Sequence, residues 1–344
     1  MNEKKIKILQ VIDILNVGGA EHIFVDMCNI LYENNIDVSV LYILNGGVLK
    51  SELNPNIVSF ELNRKNKWNL SSMYKCAKIL GKFDISHCHL KHVYRYIFIV
   101  NFLFRVKSKL LIQDHGFANR KNKTALLFHK IIKPKFYIGV SKSLVDWAKS
   151  NLKIKSENIF FLPNIILKKD FIFENKEFDL ILVSNIKPTK NNNFAIELVN
   201  KIDKKLVIIG NNHDNDYFEK ICNLKNSNTE IIQNCTNAQE FIAKASFGLH
   251  TSNLETGPLV LIEYLAHGLP FLAYETGEIA KILKPHFPEY FIDNFDVDQW
   301  VEKIKLIKEA KVDCEKMNFV FNKYFSKEKY FNELTLIYKC ILKN

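Results

Sequence analysis

Short runs of apolar and β-branched residues alternate along the chain with amphipathic stretches of about ten to fifteen residues. Strands that alternate with helices in this way form βαβ units, and repeated βαβ units build a parallel sheet covered by helices. The alternation occurs twice, and between the two sets it is lost in the charged segment 164–177. We therefore predict an α/β protein with two doubly wound domains, residues 1–165 and 178–320, on either side of a linker.

The same pattern predicts the positions of most strands and helices. In the first domain we expect strands at 7–12, 38–44, 85–87, 110–113, 136–140 and 160–162, and helices at 20–32, 74–80 and 142–152. In the second we expect strands at 179–183, 206–209, 247–250 and 271–274, helices at 193–202, 238–245 and 258–267, and long C-terminal helices that include 327–341. Ligands of doubly wound folds bind beyond the carboxyl ends of the strands, so the loops that follow the strands are the candidates for chemistry.

Cysteine content and hydropathy restrict the class of protein. Seven cysteines are scattered without a C-x-x-C pair, which favours a reducing compartment over a disulfide scaffold. The charged start of the chain lacks the apolar core of a signal peptide, and the longest apolar run, 96–104, is too short to span a bilayer. We expect a cytoplasmic protein that is soluble or is peripheral on the inner face of the cell membrane.

The net charge of +11 comes from the first half of the chain. Residues 1–165 contain 25 Lys and Arg against 12 Asp and Glu, whereas the rest of the chain contains 23 against 25 and no arginine. Such asymmetry is typical of a surface that meets an anionic partner, although a merely lysine-rich surface explains the charge as well.

Aromatic residues lie among the basic segments of the first domain. The stretch 94–104 is rich in Tyr and Phe, and basic segments lie around it at 64–67, 105–109, 120–123 and 130–135. Rings next to Lys and Arg are typical of a membrane interface, which makes an anionic membrane surface a candidate partner. The alternative for this stretch is a helix buried against the sheet. No helix-turn-helix, zinc-finger or RNA-binding motif accompanies the charge, so we expect no nucleic acid partner.

The most informative stretch is 251–277, TSNLETGPLVLIEYLAHGLPFLAYETG, which follows a predicted strand and enters a helix at Pro258. The first turn of a helix presents unpaired N–H groups and the positive end of its dipole, which together bind phosphate. Glu263 lies inside this helix and leans back towards its start, whereas Glu255 precedes the helix. Two carboxylates beside a phosphate site are electrostatically costly, and a sugar whose hydroxyl groups they accept is a ligand that explains them.

Further segments stand out along the chain: VGGAE at 17–21 after the first strand, VSKS at 140–143, LPN at 162–164, the loop at 183–191 and YFS at 324–326. In this order, and together with the E-x7-E spacing of Glu255 and Glu263, they resemble the motifs of the retaining, GT-B-fold glycosyltransferases of family 4 (GT4). Ordered matches over nearly the whole chain are more specific than two glutamates alone. The resemblance implies two Rossmann-like domains that face each other across a cleft, with a C-terminal helix at 322–344 that returns to the first domain.

The resemblance assigns roles to residues of the 251–277 stretch. Glu263 would hold the donor ribose. Glu255 would contact the donor sugar near its reacting face, as a catalytic group that positions the sugar and stabilises charge rather than as a general base. Gly257, Pro258 and Leu259 would bring backbone N–H groups near the sugar and the diphosphate.

Three further roles follow from the resemblance. Lys190 would neutralise the leaving diphosphate, Gly19 would let the backbone of the first domain approach it, and His115 would face the donor sugar as a second catalytic candidate. The sequence departs from the family at two donor-side positions, because Asn185 replaces the usual arginine and Asn191 replaces the following glycine. Diphosphate binding would then have one charge-assisted contact fewer.

Other motifs carry weaker signals. The histidines of HCHLKH at 87–92 lack the ligand set of a zinc centre, so packed or loop histidines fit better. The D-x-D sequences at 214–216 and 296–298 are better explained as helix caps than as metal ligands. The pair Gly18-Gly19 lacks the G-x-G-x-x-G spacing of a dinucleotide dehydrogenase. We therefore expect neither a metal nor another cofactor.

Together these features predict an enzyme, a retaining, metal-independent glycosyltransferase that moves a hexosyl or N-acetylhexosaminyl group from a nucleoside diphosphate sugar to a saccharide acceptor. The basic first domain favours a lipid-linked acceptor and a role in the synthesis of surface polysaccharide, such as capsule or lipopolysaccharide, or of glycolipid. Two alternatives remain open: a non-catalytic nucleotide-sugar-binding subunit, which the missing arginine would suit, and a nucleotide-sugar epimerase with the same fold.

Overall fold

The structure is a computed structural model, and it describes residues 5–66, 68–116, 132–171, 173 and 175–344. The described chain forms two compact units: unit 1 is the part up to Asn164 together with Lys327–Asn344, and unit 2 is Ile165–Ser326. Each unit contains one parallel β-sheet whose strands are connected mainly by helices. The predicted α/β fold class with two doubly wound sheets is therefore confirmed.

The sheet of unit 1 has seven described strands, which pair in parallel in the order β3-β2-β1-β4-β5-β6-β7. They are β1 Lys7–Ile12, β2 Asp37–Tyr42, β3 Val58–Glu61, β4 Ile85–His89, β5 Lys109–Asp114, β6 Phe136–Gly139 and β7 Ile159–Phe161. All five residues of β4 and five of the six in β1 are buried, as expected of central strands in a parallel sheet that is covered on both faces.

The described helices of unit 1 before residue 164 are α1 Gly19–Glu33, α2 Leu70–Leu80, α3 Lys91–Phe104 and α4 Lys142–Asn151. Side-chain oxygens begin two of them: the Asn69 side chain accepts from the N–H of Ser72 at the start of α2, and Ser141 accepts from the N–H of Leu144 at the start of α4. The body of α3 is buried against the sheet, as the alternative for 94–104 required. Residues 117–131, which include the predicted basic segment 120–123, lie outside the described residues.

The sheet of unit 2 has six described strands in the order β10-β9-β8-β11-β12-β13, again all parallel. They are β8 Leu180–Val183, β9 Leu206–Ile209, β10 Thr229–Ile232, β11 Gly248–His250, β12 Phe271–Tyr274 and β13 Phe291–Ile292. The helices are α5 Asn192–Ile202, α6 Asn215–Leu224, α7 Ala238–Lys244, α8 Leu259–Ala266, α9 Gly277–Leu283, α10 Val297–Glu309 and α11 Cys314–Phe325.

The last helix, α12 Lys327–Lys343, belongs to unit 1. It buries Tyr330, Leu334, Ile337, Tyr338 and Ile341. Lys109 at the start of β5 donates to the carbonyls of Ile341 and Leu342, which places a positive charge at the negative end of the helix dipole. In the ranges described above, no helix combines the length and the apolar character needed to cross a lipid bilayer.

Three strands that the hydrophobic pattern missed, β3, β10 and β13, all lie at sheet edges. Their sequences are VSFE, TEII and FI, which are short or contain polar residues. An edge strand is paired on one side only and is less completely buried, so it needs no continuous apolar run. The pattern therefore detected every interior strand, and of the four edge strands it detected only β7, whose sequence IFF is apolar.

The segment in which the alternation is lost packs onto unit 2. The buried side chain of Gln239 in α7 accepts from the N–H of Lys169 and donates to the carbonyl of Leu167. This segment is irregular because a side-chain amide, rather than a strand or helix partner, satisfies its backbone groups.

Glycine is required where the loops after β8 and β9 meet. A Cβ atom at Gly210 would lie 1.9 Å from the carbonyl oxygen of Ser184 and 3.0 Å from the amide nitrogen of Asn185. These contacts are with the backbone, which cannot rotate away. The close approach holds the start of the 184–191 loop against the end of β9.

We expect Gly210→Ala to lower the free energy of unfolding by about 2–3 kcal/mol, since the new methyl group must displace the backbone of the 184–191 loop. Urea denaturation followed by circular dichroism measures this loss.

The matched control is Gly81→Ala at the end of α2. There the Cβ would lie 3.4 Å from its nearest neighbour, the carbonyl oxygen of Ala77, and the backbone is already right-handed helical. Equal stability losses in the two variants would show that the close approach at residue 210 is not the cause.

Candidate active site

The strand order of unit 2 places its candidate site between β8 and β11. These neighbours are the strands from which the chain proceeds to opposite sides of the sheet. At such a switch point the loops after the two strands diverge and leave a crevice beyond their carboxyl ends. Lys190 lies in the loop after β8, and Glu255 lies in the loop after β11. The fold thus brings together two residues that are 65 positions apart in the sequence.

The loop after β8 ends in one turn of 3₁₀ helix, Pro188–Lys190, which leads through Asn191 into α5. Asn191 adopts the left-handed conformation, with φ 52° and ψ 42°. Glycine adopts this conformation most easily, and asparagine is among the few other residues that tolerate it. The replacement of the family's usual glycine therefore preserves the turn. Asn185 lies partly buried near the beginning of the same loop.

Two backbone-centred hydrogen bonds hold the loops after β8 and β11 together. The hydroxyl of Thr251 donates to the carbonyl of Lys190 over 3.0 Å, and the N–H of Asn253 donates to the carbonyl of Thr189 over 2.9 Å. With the backbones fixed in this way, the ammonium of Lys190 forms an ion pair with Oε1 of Glu255. Both side chains are largely buried, with 17% and 14% of their surface exposed.

Glu255 is a permanently charged carboxylate at neutral pH. Burial alone would raise its pKa, but His250 and the charge of Lys190 outweigh burial and hold the pKa at about 2, below the usual 4.5. His250 ends β11, is 1% exposed and places Nε2 3.6 Å from Oε1 of Glu255. A carboxylate in this state accepts hydrogen bonds and does not donate protons.

The helix α8 begins beside this pair. Pro258 is the residue before its first turn, so the helix starts at Leu259, one residue later than predicted. Because proline has no N–H, Gly257 and Leu259 are the residues of this segment that can offer backbone donors, which corrects the expectation for Pro258. Glu263 lies on the second turn and is half-buried. Its charge raises the pKa of Cys235 in addition to the larger effect of burial, which indicates that it faces the segment after β10.

Two glycines let α8 and its entry loop pack closely. A Cβ at Gly248 would lie 2.6 Å from the ring of Tyr264, whose hydroxyl donates to the carbonyls of Leu249 and Ile181 on adjacent strands. A Cβ at Gly277, which has φ +84°, would lie 2.7 Å from Cδ of Pro258. The close packing of Tyr264 on Gly248 of β11 and of Pro258 on Gly277 of α9 therefore fixes the position of α8.

In unit 1 the corresponding switch point lies between β1 and β4. Gly19 is the first residue of α1, directly after the loop that follows β1. In that loop Asp13 pairs with His92 at 2.7 Å. Burial alone would raise the pKa of Asp13, but the hydrogen bond and charge of His92 hold it below its usual value. The carboxylate of Glu21 lies against Gly18. A Cβ atom at Gly18 would be 2.4 Å from Oε2 of Glu21.

His115 follows β5 and contacts a second histidine. Its Nε2 lies 3.0 Å from Nδ1 of His89, and the two rings are stacked with centroids 5.3 Å apart. Burial lowers the pKa of His115 to about 4, although the charge of Asp114 opposes the shift. His115 is therefore a neutral imidazole at physiological pH.

The histidines of HCHLKH lie on two elements, β4 and the start of α3, where His92 pairs with Asp13. His87 and His89 lie on β4 and are fully buried among protein groups. Within the described ranges, no cluster of three or more His, Cys, Asp or Glu side chains is arranged to hold a metal ion. Asp214 and Asp296 accept from backbone N–H groups at the starts of α6 and α10, so both D-x-D sequences begin with a helix cap, as predicted.

The sequence did not reveal several residues that contact the predicted site residues or the strands that carry them. His250 carries no motif and reads as part of a strand, although the strand's end aims it at Glu255. Gln10 on β1 and Tyr338 on α12 are joined by a 2.8 Å hydrogen bond across 328 positions. A polar residue inside an apolar strand was the available signal for Gln10, but only the fold shows its partner.

Comparison with known proteins shows similarity to glycosyltransferases. The chain is 27% identical over 301 residues to the amylovoran biosynthesis glycosyltransferase AmsD of Erwinia amylovora, an alignment that covers 81% of this chain and 84% of the relative. Its residues 165–320, nearly all of unit 2, match the model of the family Glycosyl transferases group 1. The family match therefore holds for unit 2 of this chain. The prediction of a glycosyltransferase is confirmed.

Solved structures show the same fold as this glycosyltransferase. Anabaena HepE in complex with UDP gives a TM-score of 0.78 at 13% identity, with 97% of this chain and 100% of HepE covered. A glycosyltransferase from Rickettsia africae gives 0.79 at 17% identity, with 99% and 100% covered. At these identities the likeness establishes the fold alone, which is GT-B.

We expect the Lys190–Glu255 pair to stabilise this glycosyltransferase in a pH-dependent way. Lys190→Met leaves the buried carboxylate without its ammonium partner, which costs about 2–4 kcal/mol at pH 7. The folded state favours the carboxylate, so this contribution is complete above pH 4.5 and is lost as the pH falls towards 2. The difference in unfolding free energy between wild type and variant, from urea denaturation, should shrink below pH 4.5.

Lys187→Met is the control, because it removes a nearby positive charge and leaves the ion pair in place. Its effect on stability should be the smaller one. A difference between Lys190→Met and wild type that stays constant from pH 7 to below pH 4 would contradict the role given to the pair.

Proposed function

We propose that this glycosyltransferase transfers a hexosyl or N-acetylhexosaminyl group from a nucleoside diphosphate sugar to a saccharide acceptor, with retention of the anomeric configuration and without a metal ion. The observation that carries the proposal is the Lys190–Glu255 pair at the switch point of unit 2, beside the first turn of α8. A cation next to an anion matches the two chemically different parts of such a donor, the diphosphate and the sugar ring.

The diphosphate would lie against Lys190. Charge builds up on the leaving group as the glycosidic bond breaks, so a fixed ammonium and the N–H groups of Gly257 and Leu259 stabilise the transition state more than the ground state. Asn185 would add a neutral hydrogen-bond donor where the family usually has a charged one. Lys190 is the charge that this geometry provides for the leaving group.

The two glutamates would accept hydroxyl groups. Glu255 remains ionised well below neutral pH, so it can accept from a sugar hydroxyl and stabilise positive charge on the ring as the oxocarbenium-like state forms. Glu263, on the next turn of α8, would accept from the ribose hydroxyls. The low pKa of Glu255 argues against a role as general acid or base at pH 7.

Unit 1 would contribute Gly19 and His115. Gly19 opens α1 with no side chain in the way of a phosphate, and the first turn of this helix offers unpaired N–H groups. His115 is neutral, so it can meet the donor sugar through a hydrogen bond without repelling the positive charge that develops there.

The proposal of a metal-free reaction rests on the same residues. In metal-dependent transferases a divalent cation neutralises the diphosphate. Here Lys190 and the helix N-terminus would supply that charge, and the D-x-D sequences are engaged at helix starts.

A lipid-linked acceptor is supported by an exposed patch at the ends of α2 and α3. Large apolar side chains are solvent-exposed there, with Phe102 73% and Trp68 70% exposed, and Leu70, Tyr74 and Leu103 are also exposed. The Tyr74 and Phe104 rings lie 6.0 Å apart, which joins the two helix ends. We call Trp68, Leu70, Tyr74, Phe102 and Leu103 the aromatic patch.

Basic side chains surround the aromatic patch. Lys75, Lys78, Arg105 and Lys107 are exposed next to it, and the ammonium of Lys78 lies 4.6 Å from the centre of the Tyr74 ring. Rings and aliphatic groups that enter the headgroup region, together with cations that meet lipid phosphate, form an interfacial membrane site. The Erwinia relative is named for amylovoran biosynthesis, which supports a role in polysaccharide synthesis.

We expect Glu255→Gln and Lys190→Ala to lower kcat/KM about 100-fold or more, because each removes a charge placed where the transition state develops the opposite charge. The donor is first identified by a thermal-shift screen of nucleotide sugars. Transfer is then measured as release of nucleoside diphosphate in the presence of EDTA, and the anomeric configuration of the product is read by NMR.

Glu197→Gln on the exposed face of α5 is the matched control and should keep full activity. Full activity in Glu255→Gln would contradict the proposed site, and loss of wild-type activity in EDTA would contradict the metal-free reaction. An inverted product would contradict retention. Donor binding without turnover on any acceptor would support a binding subunit, and a donor with altered sugar configuration would support an epimerase.

We expect the wild-type protein to float with vesicles that contain anionic lipid and Phe102→Ser/Leu103→Ser to float several-fold less, because two exposed apolar anchors are lost. Flotation is measured at low salt with anionic and with neutral vesicles.

Phe319→Ser, at an exposed phenylalanine on α11 with Lys323 beside it, is the control and should bind vesicles like the wild type. Absence of wild-type flotation with anionic vesicles at low salt would refute membrane association.

A further inference from the structure

A chain of four hydrogen bonds connects His115 with the last helix of unit 1. His115 Nε2 lies 3.0 Å from His89 Nδ1, His89 Nε2 lies 2.9 Å from Gln10 Oε1, Gln10 Nε2 lies 2.8 Å from the Tyr338 hydroxyl, and that hydroxyl lies 2.9 Å from His87 Nδ1. We call these five residues the histidine chain. They come from β1, β4, the loop after β5, and α12.

The amide of Gln10 determines where the protons of the chain lie. Its Oε1 can only accept, so His89 Nε2 must carry a hydrogen and donate to it. A neutral imidazole carries one hydrogen, so His89 Nδ1 is bare and accepts from His115 Nε2–H. In neutral His115, Nδ1 is then a hydrogen-bond acceptor.

The other end of the chain has the same order. The amide nitrogen of Gln10 can only donate, so the Tyr338 hydroxyl accepts from it and directs its own hydrogen to Nδ1 of His87. Each of the four hydrogen bonds then has one donor and one acceptor. The opposite direction of all four hydrogen bonds requires Oε1 and Nε2 of Gln10 to exchange places. In that case Nδ1 of His115 would carry the hydrogen and would be a donor.

The rings of the chain are neutral. Gln10, His87 and His89 are fully buried, and Tyr338 is 2% exposed. Burial lowers the pKa of His87 to about 3 and that of His89 well below its usual range, and it raises that of Tyr338. The charge of Asp114 acts on His115, and Asp114 also accepts from the hydroxyl of Tyr137 and pairs with Lys91. A neutral chain can therefore keep a single proton order.

We propose that Gln10, His89 and Tyr338 are positioning residues, which hold His115 as the Nε2–H tautomer with Nδ1 as an acceptor. The inference rests on the proposed function, in which His115 meets the donor sugar. A sugar hydroxyl can donate to an imidazole nitrogen that carries no hydrogen, and a neutral ring does not oppose positive charge on the sugar. Tyr338 thus acts on the donor side of the reaction through two other residues, without touching the substrate.

The first experiment needs neither donor nor acceptor. The protein is labelled with ¹⁵N-histidine, and its ring nitrogens are observed by NMR at pH 7, with His115 assigned from His115→Gln. We expect His115 and His89 as neutral Nε2–H tautomers in the wild type, and a tautomer mixture for His115 in Tyr338→Phe. A charged or Nδ1–H His115 in the wild type would overturn the inference, whether or not the protein transfers sugar.

The second experiment measures kinetics with the donor found in the thermal-shift screen. Tyr338→Phe should lower kcat about 5- to 10-fold with little change in donor KM, as for the loss of one positioning hydrogen bond. Tyr94→Phe is the matched control, because Tyr94 is buried in the same unit, on α3, and its hydroxyl is not part of the histidine chain. Equal losses in the two variants, or no loss in Tyr338→Phe, would overturn the positioning role.

Gln10→Glu separates positioning from packing. A carboxylate next to His89 Nε2 favours the imidazolium, so the acid limb of the kcat profile should move to higher pH. A profile that keeps the wild-type shape while Tyr338→Phe also keeps its activity would overturn the proposal.

Discussion

The candidate donor site depends on one buried ion pair and on the backbone that makes it possible. Lys190 and Glu255 face each other because the carbonyls of Thr189 and Lys190 accept from the loop after β11. Without those two hydrogen bonds, two long side chains would lose their rotational freedom for little gain, as most surface pairs do. Because the loop backbones are already fixed, less conformational entropy is lost when the two side chains form the ion pair. The positive charge of the candidate site is therefore held at one place.

The two units handle charge in opposite ways. Unit 2 pairs a lysine with an ionised glutamate in a largely buried place, and His250 adds a third polar partner. Unit 1 buries histidines that burial makes neutral, and it satisfies them with an amide and a phenol. In glycosyl transfer the diphosphate becomes more negative while the sugar becomes more positive. A charged set suits the first change, and a neutral, ordered set suits the second.

The sequence predicted what depends on local patterns. Central strands such as β8 and β9 are continuous apolar runs, so they were found, and the E-x7-E spacing led directly to Glu255 and Glu263. The edge strands β3, β10 and β13 were missed because they are short or only partly buried and leave no clear pattern. The role of Asn191 was also hidden, since a substitution that looks like a departure from the family preserves the same backbone conformation. Contacts across 328 positions, such as Gln10 with Tyr338, carry no local signal at all.

The position of α12 has a consequence for biosynthesis. A ribosome delivers unit 1's sheet strands early, but the helix that covers Gln10 and His87 emerges only after all of unit 2 has been made. Until then the polar side chains of Gln10 and His87, on the central strands β1 and β4, lack the Tyr338 hydroxyl as a hydrogen-bond partner. Unit 2 is continuous in sequence and can fold while that wait lasts. Unit 1 is therefore translated first but can complete its fold only after unit 2 has been synthesised.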